Sequence, residues 1–151
     1  MPVGSRLKSL LSKLVAVGIL LAAPITCVRV DRAYSCLLPG GAKSISLFRD
    51  APQAIQQAFK SRFGDIAESY EPFDKTDVMI TGRFRRLIFI WNAGERWVVA
   101  TERGGIGYHT PIFAFDLGED RLTATLVNER VGDVCKTATS FLQCQTCAMP
   151  P

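Results

Sequence analysis

The spacing of the apolar positions changes along this chain, and each change marks a different kind of element. Residues 44–48 follow a Pro-Gly-Gly turn at 39–41 and alternate polar and apolar, as a short strand does. Over residues 54–63 the apolar positions instead recur every three or four residues, which predicts a helix. Asp50 is expected to cap this helix and Gly64 to end it. The helix has one apolar face, which needs a sheet to cover it.

Residues 78–128 are typical of an antiparallel meander, because strand-like runs alternate with short turn signals. The predicted strands cover residues 84–91, 96–102, 108–117 and 122–127. Residues 87–91 are apolar at every position, which favours burial on both faces and a central place in the sheet. With the short strand at 44–48, the sheet is expected to have four to five strands.

A second helical pattern follows the meander. Its apolar positions are Val131, Val134, Cys135, Ala138, Phe141 and Leu142. This spacing predicts an amphipathic helix with Cys135 on its buried face. The whole pattern therefore predicts an α+β fold, in which an N-terminal and a C-terminal helix pack on one antiparallel sheet. We expect residues 43–151 to form this single domain.

The N-terminal residues have the pattern of an export signal. Arg6, Lys8 and Lys13 precede an uncharged, mostly apolar run over residues 14–28. This run is shorter than the roughly 20 apolar residues that a membrane-spanning helix needs. Residues 1–27 are therefore expected to be a signal peptide, or an N-terminal anchor if they are retained. Residues 28–42 would then form a linker that carries the first cysteine of the exported protein.

Removal of that signal changes the charge of the protein. The chain has 18 basic and 14 acidic residues, but from Cys36 onward there are 13 of each. A neutral domain lacks the electrostatic attraction on which nucleic-acid binding depends, so no nucleic-acid partner is expected. The acidic residues between 65 and 77 lack the spacing of a calcium loop and favour a solvated connector. The sequence predicts no metal and no cofactor.

The cysteines point to an oxidising compartment, periplasmic or extracellular. If Cys27 is lost with the signal, an even set remains, which favours two disulfides. Its members are Cys36, Cys135, Cys144 and Cys147. The pairing is open, but we expect Cys36 to bond one of the three C-terminal cysteines and so tie the start of the domain to its end.

Cys144 and Cys147 also have the spacing of a redox pair. Redox pairs of this kind lower their thiol pKa at the N-terminus of a helix, whereas this pair follows a predicted helix. A structural disulfide is therefore the favoured interpretation, and thiol–disulfide chemistry is the alternative. The two-knuckle pattern of a four-thiolate zinc site is absent from the sequence.

Two groups of residues are candidates for binding. Arg83, Arg85 and Arg86 form a basic cluster at the start of the first long strand. Trp91 and Trp97 flank the hairpin that follows. Arg and Trp dominate the hot spots of protein interfaces, so an acidic or peptidic partner along this sheet is one hypothesis. The favoured alternative places both Trp side chains in the core and pairs the Arg side chains with the acidic connector.

The second candidate is the glycine-rich loop at residues 104–110. Gly105 and Gly107 would let a ligand approach the backbone closely, and Tyr108 and His109 follow them directly. His109 is the only histidine, so any histidine-dependent mechanism would need it. No nucleophile motif accompanies it, and we assign no catalytic residue.

These observations favour a non-enzymatic exported module, inhibitor-like or otherwise binding, whose sheet or 104–110 loop engages a protein or cell-envelope partner. Two alternatives remain open. One is a thiol–disulfide redox protein that uses Cys144 and Cys147. The other is an envelope protein tethered by residues 14–28, which would contact the membrane only if that segment is retained.

Overall fold

Five strands and two α-helices make up the part of the chain that the computed structural model describes, Tyr34 and residues 36–143. In order they are β1 (Lys43–Ile45), a 3₁₀ turn (Phe48–Asp50), α1 (Gln53–Phe63), β2 (Arg85–Ala93), β3 (Arg96–Arg103), β4 (Pro111–Leu117), β5 (Ala124–Val131) and α2 (Val134–Gln143). The strands form one antiparallel sheet in the order β1-β2-β3-β4-β5. The predicted α+β meander between two helices is confirmed.

Each helix covers one face of the sheet. Successive side chains of a strand point to opposite faces, and on β3 Trp97 and Val99 pack in the core under α1. Val98 and Ala100, on the same strand, pack in the core under α2. The sheet therefore lies between two helical layers, and β3 is buried on both sides.

A β-bulge explains the continuous apolar run in β2. The pairing of β2 with β3 skips Ile88 between Leu87 and Phe89. Leu87 and Ile90, three residues apart, therefore both face α1, while Ile88 and Phe89 both lie on the α2 side. The run that predicted a central strand thus belongs to a bulged strand next to the edge, and β3 occupies the centre.

The start of the domain differs from its prediction. The first strand ends at Ile45, and the chain turns so that Phe48 enters the core. The backbone N–H groups of Phe48 and Arg49 donate to the Glu68 carboxylate at 2.7 and 3.2 Å. This distant acceptor, which no local pattern reveals, takes the place of strand hydrogen bonds.

The predicted cap of the first helix is also wrong. Pro52 occupies the N-cap position of α1 without a side-chain hydrogen bond, and Asp50 belongs to the preceding 3₁₀ turn. Proline tolerates this place because it has no N–H that would need a partner. Gly64 does end α1, with a φ of +79° that favours glycine.

The last strand and helix begin later than predicted. The carboxylate of Asp120 accepts the N–H groups of Leu122 and Thr123, and this turn delays β5 to Ala124. Val131, predicted for the second helix, lies on β5 and is exposed. The helix begins after Asp133, whose carboxylate accepts the N–H of the third helical residue, as an N-cap does.

A disulfide ties the segment before β1 to α2. Cys36 and Cys135 are bonded, with their Cα atoms 5.2 Å apart and a sequence separation of 99. The pairing is one of the three expected for Cys36. Tyr34, Cys36 and Ala42 pack partly buried against the core under α2. Cys27, Cys144, Cys147 and the predicted signal lie outside the described residues. Within the described part, no helix is both long and apolar enough to span a bilayer.

Removal of this disulfide is expected to destabilise the domain. The double variant Cys36→Ser/Cys135→Ser opens a loop of 99 residues, whose closure entropy corresponds to roughly 4 to 5 kcal/mol in the unfolded state. Urea unfolding of the variant and of the wild type, each measured with and without reductant, checks this. The prediction is wrong if the free energy of unfolding of the oxidised wild type exceeds that of the variant by less than about 1 kcal/mol.

Candidate functional site

Two loops lie side by side at one end of the sheet, where β2 and β4 begin and β3 ends. The first loop comprises residues 74–82 and the second residues 104–109, and together they are named the loop end. The N–H of Gly104 donates to the carbonyl of Phe84 at 2.8 Å, and the N–H of Gly105 donates to that of Lys75 at 3.1 Å. The bond between Gly105 and Lys75 thus joins the two loops, and the bond to Phe84 holds the second loop beside the residue that precedes β2.

The carboxylate of Asp74 holds the first loop in shape. It is buried, and it accepts hydrogen bonds from the N–H groups of Ile80, Thr81 and Gly82 at 2.8 to 3.1 Å. Its own N–H donates to the carbonyl of Arg83, which closes the base of the loop. Part of the segment predicted as a solvated connector is therefore a buried anchor, because the acidic side chain bonds main-chain N–H groups rather than water.

Two opposing effects act on the pKa of Asp74. Burial raises the pKa, whereas the hydrogen bonds from Thr81, Ile80 and Gly82 lower it, and their net result is a pKa below the ordinary aspartate value. The carboxylate is therefore ionised near neutral pH, when it accepts these bonds most strongly.

Gly104 allows the second loop to approach this anchor. A Cβ atom at this position would lie 1.8 Å from the carbonyl oxygen of Asp74, so no larger residue fits without a shift of the main chain. Gly105 and Gly107 have φ values of +92° and +78°, which favour glycine for a conformational reason instead. Gly104 therefore brings the two loops together, whereas Gly105 and Gly107 allow the turns of the second loop.

The loops present four aliphatic side chains to solvent. Val78, Met79 and Ile80 are 65%, 66% and 83% exposed, and Ile106 on the second loop is 92% exposed. These four residues are named the apolar tip. The meander predicted from residue 78 begins only at Arg85, so this apolar triplet is loop rather than strand. Exposed apolar side chains on two neighbouring loops make this end of the sheet a candidate place of interaction.

Tyr108 stands beside the apolar tip with its ring half exposed. Its hydroxyl interacts with the side chains of Glu102 and Tyr34. Burial of the hydroxyl, followed by the nearby Glu102 carboxylate, raises the pKa of Tyr108 to about 12. Tyr108 is therefore neutral at physiological pH and suited to hydrogen bonding rather than to action as a base.

His109 closes the second loop. Its backbone pairs with that of Arg103 through two hydrogen bonds of 2.8 and 3.2 Å, and its Nδ1 lies within hydrogen-bond distance of the Gly107 carbonyl oxygen. The imidazole is thus engaged by the loop that carries it.

The three arginines of the predicted basic cluster point to different surroundings. Arg83 forms an ion pair with Glu71 of the acidic connector, and Arg86 forms one with Glu102. Arg85 is buried under α1, with its guanidinium 5.2 Å from the ring of Phe63 and 5.6 Å from that of Phe113. Its Nη1 has no hydrogen-bond partner among the described residues. The three arginines are therefore close in sequence, but their guanidinium groups have different partners and do not form one basic patch.

The tryptophans belong to the core. Trp91 stacks on Phe89 under α2 with ring centroids 4.3 Å apart, and Trp97 packs under α1. Both are less than a tenth exposed. The favoured interpretation of the two Trp residues, as core, is confirmed, and neither can anchor a partner on the surface.

Concave surfaces occur away from the apolar tip. A cavity of about 620 Å³ lies at the opposite end of the sheet beside Gly94, Arg96 and Asp116. A smaller one of about 280 Å³ lies between α1 and the acidic connector. Among residues 34 and 36–143, no group of three or more His, Cys, Asp and Glu side chains is arranged to hold a metal ion.

Gly104→Ala is expected to separate the two loops. The added Cβ would collide with the Asp74 carbonyl, and overpacking of this kind costs about 1 to 3 kcal/mol or more. Gly40→Ala is the matched control, because nothing lies within 4 Å of its Cβ position. Urea unfolding measures both variants. Equal stability of the two would contradict the close approach at Gly104.

Asp74→Asn is expected to weaken the anchor in a pH-dependent way. Because the folded-state pKa is lowered, the ionised carboxylate stabilises the fold above the unfolded-state pKa of about 4, and this stabilisation is lost as the pH falls through the lower folded value. The wild type should exceed the variant in unfolding free energy at about pH 7, and the difference should shrink at about pH 3. Asp77→Asn, an exposed carboxylate of the same loop, is the control. If the difference in unfolding free energy between the wild type and Asp74→Asn stays constant with pH, the ionised carboxylate does not stabilise the loop in this way.

The loop end is the candidate functional site of the described chain: a hydrogen-bonded pair of loops with an apolar tip and a neutral tyrosine beside it. It contains Gly105, Gly107, Tyr108 and His109 from the sequence prediction, and it adds Asp74 and the apolar tip. Comparison with protein families, curated proteins and solved structures finds no match for this chain.

Proposed function

We propose that this protein is an exported, non-enzymatic binding module that engages a protein or another cell-envelope component through its loop end. The observation that carries the proposal is the apolar tip, four aliphatic side chains between 65% and 92% exposed. Aliphatic side chains that lie in water contribute nothing to the stability of the domain that carries them. Contact with a partner would recover the free energy of their burial.

The rigidity of the loops supports the same function. Binding surfaces on mobile loops lose affinity because ordering them costs conformational entropy. Here the Asp74 carboxylate and the backbone contact at Gly104 order both loops in the absence of a partner. The loops that carry the tip are thus ordered before contact, which lowers the entropic cost of binding.

The surroundings of the titratable groups are those of a binding surface rather than of a catalytic one. Tyr108 has its pKa raised to about 12, which keeps it neutral and prevents it from accepting a proton as phenolate. Asp74 accepts main-chain hydrogen bonds, and His109 bonds within its own loop. Asp74 and His109 thus act on the conformation of the loops.

The thiol–disulfide alternative has less support. In the sequence, Cys144 and Cys147 come after the helical pattern of residues 134–143 rather than before one. The C-terminal end of a helix carries partial negative charge and disfavours a thiolate, whereas redox pairs use the positive N-terminal end. With Cys36 and Cys135 bonded to each other, we propose that Cys144 and Cys147 form the second disulfide of the exported protein. The tethered alternative concerns residues 14–28, and the intact mass of the exported protein tests it.

Capture from a cell-envelope extract of the native organism tests the binding function. Immobilised wild type is expected to retain a component from the extract. The variants Ile106→Asp and Met79→Asp should retain at least about tenfold less of it, because a charge on the tip opposes its desolvation. Leu122→Asp is the matched control, since Leu122 is 79% exposed in the turn before β5, at the opposite end of the sheet. Circular dichroism confirms that every variant is folded.

Two outcomes would count against the proposal. If the wild type retains nothing, the domain does not bind an envelope component under these conditions of capture. If the tip variants retain as much as Leu122→Asp does, binding occurs elsewhere and the loop end is not the site.

A further inference from the structure

We propose that this domain has a second binding site, on the face of the sheet under α1, where Arg62, Arg85 and Arg103 hold an oxyanion group, the carboxylate or phosphate of a ligand. These three residues are named the arginine cluster. The inference does not depend on the apolar tip. It rests on a buried guanidinium that lacks a hydrogen-bond acceptor among the described residues, and on the like charges that surround it.

Arg85 is a buried cation without a counterion. The residue is 8% exposed, and its Nη1 is sealed from solvent with no hydrogen-bond partner among residues 34 and 36–143. Within the same residues it forms no ion pair. Burial of a charged donor without an acceptor destabilises a fold. An anion that accepted hydrogen bonds from this group would remove that cost.

The aromatic rings beside Arg85 compensate its charge only in part. Its guanidinium carbon lies 5.2 Å from the ring centroid of Phe63 and 5.6 Å from that of Phe113. Contacts of this kind attract the positive charge, but a ring supplies no oxygen lone pair to the N–H groups. Arginine binds a carboxylate or a phosphate through two parallel N–H donors. The rings thus position a group whose donors suit an oxyanion.

Two further arginines add positive charge around Arg85. Arg103 is its direct partner in the register of β2 and β3, so both side chains lie on the same face of the sheet. Burial, and after it the charge of Arg103, lowers the pKa of Arg85. Arg62 lies 5.9 Å from the centroid of the Phe63 ring, which Arg85 also contacts. Arg62 and Arg103 are exposed and form no ion pair with a described residue.

The acidic residues nearby do not neutralise the cluster. Glu129 is opposite Phe113 in the register of β4 and β5, and its charge raises the pKa of Arg85. It is exposed and forms no ion pair with a described residue. Asp65, just after α1, pairs with Lys60. One carboxylate among three guanidinium groups leaves a net positive charge, which favours an anionic ligand.

Unfolding in different salts tests the site. The full chain and its variant Arg85→Met are unfolded with urea in sodium chloride, sodium acetate and sodium phosphate at equal ionic strength and neutral pH. A ligand that binds only the folded state stabilises it. Phosphate, acetate or both should therefore raise the urea midpoint of the wild type, relative to chloride, by more than that of the variant. Arg85→Met should still fold, because apolar residues often replace buried charges without loss of stability.

Arg130→Met is the matched control. Arg130 is exposed on the opposite face of the sheet, and its guanidinium also lies near a ring, 5.9 Å from the centroid of Phe141. This variant should respond to the three salts as the wild type does. Phosphate also stabilises folded proteins through its exclusion from their surface, and that effect acts on all three proteins alike.

The guanidinium signal of Arg85 reports contact with the anion directly. In nitrogen–proton correlation spectra its Nε–H signal, assigned by its absence from Arg85→Lys, should shift and saturate as inorganic phosphate or acetate is added. Arg103→Met should weaken the binding by about two- to fivefold, the contribution of an exposed charge pair. Glu129→Gln should strengthen it, because a competing carboxylate is removed.

The two anions distinguish the sources of the oxyanion. Saturation with phosphate alone indicates a ligand that carries a phosphate group, saturation with acetate alone indicates a carboxylate, and saturation with both indicates a site that accepts either group. The inference is wrong if the Arg85 signal does not shift with either anion. It is also wrong if Arg85→Met responds to the three salts as the wild type does, because the rings and Glu129 then satisfy the guanidinium by themselves.

Discussion

Burial of β3 on both of its faces is the constraint from which the rest of this architecture follows. Trp97 and Val99 need one apolar layer and Val98 and Ala100 need another, because neighbouring side chains of a strand point in opposite directions. The helices before and after the meander supply these two layers. With both faces covered, the ends of the sheet are where loops can present side chains to a partner, and the loop end occupies one of them.

The second layer is fastened by specific bonds as well as by apolar contact. Nη1 of Arg96, at the start of β3, donates to the carbonyl of Phe141 in α2 at 3.0 Å, and the same guanidinium pairs with Asp116 on β4. The disulfide joins α2 to the segment before β1. A helix of ten residues has little stability of its own, and these bonds attach it to the most buried strands.

The elements could be predicted from the sequence where their signals are local. Periodicity revealed both helices and the meander, and Phe113, Phe115 and Leu117, at alternate positions of β4, share the face under α1. The features that the sequence pattern did not predict depend on contacts between residues that are distant in sequence. Phe48 leaves the predicted first strand because the Glu68 carboxylate, 20 residues away, accepts its N–H. The glycines at 104–107 could likewise be recognised as a loop from the sequence. The close approach of Gly104 to the carbonyl of Asp74 could not, because the two residues are distant in sequence.

The contacts by which Asp74 and Gly104 join the two loops do not depend on the side chains that the loops expose. Asp74 bonds main-chain N–H groups, and Gly104 makes room for a main-chain carbonyl. The side chains at 78–80 and 106 take no part in either contact and lie in solvent. Their chemistry can therefore change by mutation with little effect on the scaffold, so that the domain can acquire a new target in evolution, or by design, while its core stays the same.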